Sequence, residues 1–184
     1  CISLRGRRHL LDVGGGPGML SVYFLKANRG LKATIFDLPG TVAVGRDMRL
    51  SAPAMSAAVI EGAADGGADV HDLGMVGTEM VYYAVGELSL DGGICVTASH
   101  NPKEYIGMKI VRRGALPVGG DSGLDHVRRR ATAGFGDVER RGSVEALDVW
   151  AGFADKVLSF VDVDAIRSLK VVVDAANGMA GTML

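Results

Sequence analysis

Short apolar runs recur along the chain, each breaking into a glycine-rich or polar turn and then into a stretch whose apolar residues return at helical spacing. His9-Leu10-Leu11-Asp12-Val13 reads as a first strand, Gly14-Gly15-Gly16-Pro17-Gly18 as a loop, and Met19, Val22, Tyr23 and Leu25 as one side of a helix. Ala33-Thr34-Ile35-Phe36 is the next strand and ends in Asp37. Thr41-Val42-Ala43-Val44-Gly45 is another, after which Ser51-Ala52-Pro53 opens a helix with serine at the cap and proline in the first turn. Residues 69–76 read as strand and exit loop, and Gly77-Thr78-Glu79 starts a helix with Met80, Tyr83, Ala84 and Val85 turned inward. Ile94-Cys95-Val96 is a continuous apolar run, which fits a strand buried on both faces; pattern alone leaves a buried helix segment open. A strand follows around Lys109. Residues 122–133 predict a helix capped by Asp121 or Ser122, and residues 134–142 a loop or hairpin. Val144, Leu147, Ala151, Ala154, Leu158 and Val161 predict one amphipathic helix anchored in the core by Trp150, and Leu169-Lys170-Val171-Val172-Val173-Asp174 a last strand running into a second glycine loop.

No repeat of fixed period is present, but the strand–turn–helix unit recurs. That recurrence predicts an α/β fold: a three-layer α/β/α arrangement on a mostly parallel sheet.

The 184 residues allow one domain with a sizeable core, or one and a fraction. A net charge of −1 gives no basic surface for nucleic acid and no acidic tail. No apolar run approaches the roughly 20 residues that span a membrane. The opening Cys1-Ile2-Ser3-Leu4-Arg5 has neither an initiator Met nor the apolar region of a signal peptide, so the chain reads as an internal or truncated piece with a cytoplasmic location. Two cysteines make neither a disulfide framework nor a metal cluster, and Cys95 reads as a reduced core residue. The 27 glycines gather at predicted strand ends, which suits tight strand-to-helix turns.

Candidate chemistry centres on Thr97-Ala98-Ser99-His100-Asn101-Pro102, a polar turn at the carboxyl end of the Ile94-Cys95-Val96 strand. Open α/β sheets build their sites just beyond such strand ends. A serine there ordinarily forms a turn or caps a helix. These six residues, however, resemble the active-site serine signature of the α-D-phosphohexomutases, the phosphomannomutase/phosphoglucomutase family. Gly45-Arg46-Asp47-Met48-Arg49-Leu50-Ser51 resembles a second signature of that family, and Asn177-Gly178-Met179-Ala180-Gly181 is similar to the opening of its next domain. The resemblance implies that Ser99 carries a phosphoryl group, donates it to a hexose phosphate and takes another back from the bisphosphorylated sugar. It implies His100 orienting the serine loop, Lys109 bordering the site and helping to move the proton of the sugar hydroxyl, and Arg46 and Asn101 on the phosphate side, Asn101 with Pro102 fixing the turn. A structural Arg–Asp pair is the expectation for Asp47 and Arg49, and His71 reads as a structural histidine. Mg²⁺ is the implied ion, held by Ser99 through its phosphate. The aspartate-rich metal loop of the family's second domain does not occur in this sequence, so little turnover is expected of this chain alone.

A second resemblance covers the opening residues. Asp12-Val13-Gly14-Gly15-Gly16-Pro17-Gly18 followed by Phe36-Asp37-Leu38-Pro39 is similar to the S-adenosylmethionine-binding motif of the small-molecule O-methyltransferases, with Asp12, Gly14, Gly16, Gly18 and Asp37 as the implied contacts. The expected organisation is therefore a methyltransferase-like segment at 1–39, a phosphohexomutase first domain at 40–165 and the start of the second at 166–184, a fragmentary chain with chimeric character. Two alternatives to a mutase fragment stand: an adenosylmethionine-dependent O-methyltransferase fragment, and a non-catalytic chimera. The sequence leaves open whether the two halves share one sheet; one arrangement places the leading strand–helix–strand at the edge of the mutase sheet. Expected partners are hexose phosphate and hexose bisphosphate, without nucleic acid or membrane.

Overall fold

A computed structural model describes residues 9–13, 32–36, 40–133 and 140–183. The chain divides into two compact units, Cys1–Gly40 and Thr41–Leu184. In the first, β1 (His9–Val13) and β2 (Lys32–Phe36) pair in parallel, Leu11 opposite Thr34, in a two-stranded sheet of their own. The leading strands therefore do not extend the larger sheet, contrary to the edge-strand expectation. The helix read around Met19, and the loop glycines before it, lie outside the described residues.

The second unit is built on a six-stranded sheet in the order β7-β6-β5-β3-β4-β8. Its members are β3 (Thr41–Arg46), β4 (Asp69–Met75), β5 (Gly92–Val96), β6 (Met108–Arg112), β7 (Leu116–Pro117) and β8 (Val144–Ala146). The pairings among β5, β3, β4 and β8 are parallel, and β6 and β7 close one edge antiparallel. The mostly parallel sheet predicted from the sequence is present, with this antiparallel edge added.

Alternation along β3 separates the two faces. Val42 and Val44 join Val70 and the inner side of α1 (Ala52–Asp65), including Val59, Ile60, Ala63 and Ala64. Ala43 joins Leu73, Cys95, Val111 and the inner side of α2 (Thr78–Glu87), where Met80, Val81, Ala84 and Val85 are fully buried. Helices thus cover both faces of the sheet, giving the three layers. Cys95 is a free thiol at 0 % exposure, as its apolar run implied. Tyr83 meets Phe153 edge to face, ring centres 5.7 Å apart.

Five local expectations are corrected. Ser51 precedes α1 in a helical conformation and its side chain makes no capping bond. The helix expected from 122 begins later, as α3 (Asp125–Ala133), because Ser122 and Gly123 (φ +131°) make an irregular turn in which Ser122 Oγ accepts the Gly119 N–H at 2.7 Å. The stretch 144–161 splits into β8 and α4 (Trp150–Leu158), since Val144, Glu145 and Ala146 pair with β4 and leave the helical path. Val149, not Trp150, is the buried residue there; Trp150 packs on the rim. Residues 169–174 join neither sheet, and Val172 is 96 % exposed, because among the described residues no neighbouring strand accepts their backbone groups. A short α5 (Ala180–Met183) ends the described chain.

Candidate active site

From β3 the chain crosses through α1 to β4 on one side, then returns through α2 to β5 on the other. The carboxyl ends of β3 and β5 are therefore the switch point of the sheet, where a crevice opens between diverging loops. The two exits are tied together: the Asp47 N–H donates to the Val96 carbonyl at 3.0 Å.

Beyond Val96 the chain stays buried through Thr97 and Ala98 and then turns out into solvent at Ser99, His100 and Asn101. Local polar bonds make this turn. Thr97 Oγ1 accepts the Ser99 N–H at 2.9 Å, and the Ala98 carbonyl accepts both the Asn101 N–H at 3.0 Å and its side-chain amide at 2.8 Å. Ser99 itself has φ +55°, a left-handed conformation that costs an L-residue about 1 kcal/mol. The result presents the Ser99 hydroxyl outward, 3.3 Å from Nδ1 of His100.

Ser99 faces a cavity of about 1040 Å³. Thr97, Asn101 and Lys103 line it from the same loop, Asp47 and Arg49 from the β3 exit, and Thr78 and Glu79 from the first turn of α2. Asn177 and Met179, in the second glycine loop, complete one wall. Arg49 is the most heavily bonded side chain of the site. One terminal nitrogen donates to the carbonyls of Pro102 (2.8 Å) and Tyr105 (3.2 Å), the other to those of Ser99 (2.8 Å) and Asn101 (2.6 Å). Its Nε stands 3.3 Å from Asp47 Oδ2, while Asp47 Oδ1 accepts the Arg49 N–H at 3.0 Å. The Arg–Asp pair expected from the sequence exists, and it also holds the serine loop.

The structure brings together Ser99, His100 and Asn101, with the Asn101 amide turned to the loop's own backbone. Lys109 and Arg46 are not among the residues lining the Ser99 cavity. Lys109 is exposed on β6, opposite Cys95 in the strand pair. Arg46 ends β3 but lines a separate hollow with Ser56, Glu61 and Asp72, on the α1 face. Sequence reasoning assigned no role to Lys103 or Glu79, which do line the cavity. Lys103 carried a readable signal, a cation four residues past Ser99 in one loop; Glu79 carried none, since only folding brings α2 to that loop. Asp12 lies in β1, and Gly14, Gly16, Gly18 and Asp37 lie outside the described residues.

A divalent ion such as Mg²⁺ needs about six oxygen ligands. Among the described residues no group of three or more His, Cys, Asp or Glu side chains stands close enough to hold a metal. The Ser99 hydroxyl is a suitable hard donor, but Asp47 is engaged by Arg49, so these residues alone do not make the set.

The fold and this loop can be set beside known proteins. Residues 25–134 match the phosphoglucomutase/phosphomannomutase alpha/beta/alpha domain I. The chain belongs to that family. The match begins at residue 25, inside the segment that also resembles a methyltransferase motif. A phosphomannomutase of Salmonella montevideo is 45 % identical over 149 residues, which cover 79 % of this chain and 33 % of the relative. That of Escherichia coli K12 is 42 % identical over 152 residues, 81 % of this chain and 33 % of the relative. A crystal structure of a phosphoglucomutase/phosphomannomutase family protein from Burkholderia thailandensis superposes with a TM-score of 0.56 at 31 % identity, covering 79 % of this chain and 31 % of that one. The chain thus spans about a third of the length of the curated relatives it matches. No helix among the described residues is long and apolar enough to cross a membrane.

Proposed function

We propose that this chain is the phosphoserine-bearing part of a phosphohexomutase of the phosphomannomutase/phosphoglucomutase type, acting on hexose phosphates through a hexose bisphosphate in the cytoplasm. The observation that carries the reading is the Ser99 hydroxyl, exposed at the switch point and facing a cavity large enough for a phosphorylated sugar. Residues 40–165 then correspond to the first mutase domain and 166–184 to the start of the second, in which the apolar 169–174 run lies exposed.

The chemistry is a pair of transfers. The phosphorus–Oγ bond of phosphorylated Ser99 breaks as a sugar hydroxyl attacks phosphorus, and the proton of that hydroxyl ends on the departing Ser99 Oγ. In the return step the Ser99 hydroxyl attacks the other phosphate of the bisphosphate, the bond from that phosphorus to the sugar oxygen breaks, and the serine proton ends on the sugar oxygen that leaves. His100 Nδ1, 3.3 Å from Oγ, is placed to accept that proton. The transferring group carries nearly two negative charges, so transfer depends on nearby cations. Lys103 supplies one at the cavity wall, and Lys109, across from Cys95, is a second candidate through movement of its long side chain. Arg46 lines the hollow on the α1 face. Mg²⁺, when bound at the Ser99 phosphate, would add Lewis-acid stabilisation; its remaining ligands come from outside the described residues.

The test is transfer of label from ³²P-labelled glucose 1,6-bisphosphate to the chain. Label on the Ser99 peptide of wild type, absent in Ser99→Ala, supports the reading. Label elsewhere in the chain, or label that persists in Ser99→Ala, overturns it.

A further inference from the structure

We infer that Arg49 is the positioning residue for the nucleophilic serine: it fixes the Ser99 loop from beneath and takes no part in binding phosphate. The inference deepens the mutase reading and rests on it for its kinetic arm. A guanidinium has five N–H groups in a rigid planar fork and no acceptor. Four bonds here reach four carbonyls spread over seven residues, from Ser99 to Tyr105, and the fifth group faces Asp47. No donor remains for a phosphate oxygen, although Arg49 lines the cavity.

The arrangement has a purpose in the strain it offsets. Ser99 sits at φ +55°, and the turn that holds it exposes carbonyl after carbonyl on one side. Without a cation there, those carbonyls would crowd one another, and the loop would relax toward an ordinary conformation that points Oγ elsewhere. The side chain is only 12 % exposed and Asp47 13 %, so solvent does not replace these bonds. Asp47 in turn fixes Arg49 at both ends, through the Arg49 N–H and Nε. Lysine keeps the charge but has three donors on one nitrogen, which cannot serve two pairs of carbonyls at once.

The experiment compares wild type, Arg49→Lys and Arg49→Ala in this same chain. Amide hydrogen exchange followed by mass spectrometry reads the 98–105 peptide against α2 peptides, so that local loosening is separated from global unfolding. Labelling of Ser99 by ³²P-glucose 1,6-bisphosphate reads the chemistry, with rate at saturation and half-saturating concentration resolved. The expected result is faster exchange confined to 98–105 in both variants, and a labelling rate about 100-fold lower at unchanged half-saturation. Partial recovery of the rate of Arg49→Ala by added guanidinium ion, but not by added ammonium, is expected as well. If Arg49→Lys keeps both loop protection and labelling rate, or if half-saturation alone rises, the inference is overturned. If label goes to a residue other than Ser99 while the variants still lose loop protection, the mutase reading fails and the positioning of the loop stands.

Discussion

Asp69, the first residue of β4, grips Arg140 with both carboxylate oxygens, Oδ1 at 3.0 Å and Oδ2 at 2.8 Å. The same Oδ1 accepts the Ser143 N–H at 2.8 Å and the Ser143 hydroxyl at 3.0 Å. One carboxylate thereby seats the outermost parallel strand, β8, whose own ladder is only three residues long. The bond from Arg140 first, and those from Ser143 next, hold the Asp69 carboxyl well below the usual carboxylate range.

A depressed carboxyl contributes stability that is complete above its unfolded value, near 3.9, and fades as pH falls below it. Wild type and Asp69→Asn should therefore differ most in urea midpoint at neutral pH, wild type being the more stable. Below about pH 4 the two should converge, because Asp69 of the unfolded chain then binds a proton that the folded carboxyl still resists. Midpoints measured from pH 7 down to pH 2 check this; a gap that stays constant across the range would show that Asp69 does not hold β8 through its charge.

Ser99 offers a test of its own backbone. At φ +55° an alanine keeps the strain of an L-residue, whereas glycine does not. Both Ser99→Ala and Ser99→Gly remove the hydroxyl and should abolish labelling. They should part company in stability, glycine being the more stable of the two by about 1 kcal/mol after its greater unfolded-state entropy is set against the strain relieved. Parallel denaturant titrations read the difference. A glycine variant less stable than the alanine one would mean that the left-handed turn is not strained.

What the sequence could show, and what it could not, divides along one physical line. The strands β3 and β5 were legible because burial on both faces leaves an apolar signature in the run itself, as in Ala43-Val44 and Cys95-Val96. The serine loop was legible because its turn is made by neighbours: Thr97 and Asn101 bond within three residues of Ser99. Val144 to Val161 misled because helical spacing and a three-residue edge strand followed by a short helix place apolar residues alike, and only pairing with β4 decides. The Ser51 cap failed because Pro53 and the Arg49 carbonyl, which accepts the Ala52 N–H at 2.9 Å, already start the helix. Arg49 itself was readable as half of an ion pair with Asp47, two residues away. Its bonds to the serine loop span 50 to 56 residues and exist only once β3 and β5 are side by side.

The seat of α2 carries the last expectation, and it joins packing to the site. A Cβ at Gly45 would stand 2.5 Å from Val76 Cγ2 and 2.9 Å from Val81 Cγ2. A Cβ at Gly93, on the neighbouring strand and the same face, would stand 2.7 Å from Val85 Cγ2 and 2.9 Å from Val81 Cγ1. Two bare positions thus form the bed on which Val81 lies, and α2 approaches the sheet more closely than any side chain would permit. Gly45→Ala and Gly93→Ala should each destabilise by about 1–3 kcal/mol through overpacking. Because both press on one valine, shortening it should help: Val81→Ala costs about 1–3 kcal/mol in wild type and much less in the Gly93→Ala background, a coupling that a double-mutant cycle isolates. The same displacement reaches the cavity, since Thr78 and Glu79 ride on the first turn of α2. Gly93→Ala should accordingly slow labelling of Ser99 at temperatures where the chain is still folded, and the added Val81→Ala should restore part of the rate. Additive stabilities, with no recovery of labelling, would show that the two glycines do not set the height of α2 above the sheet.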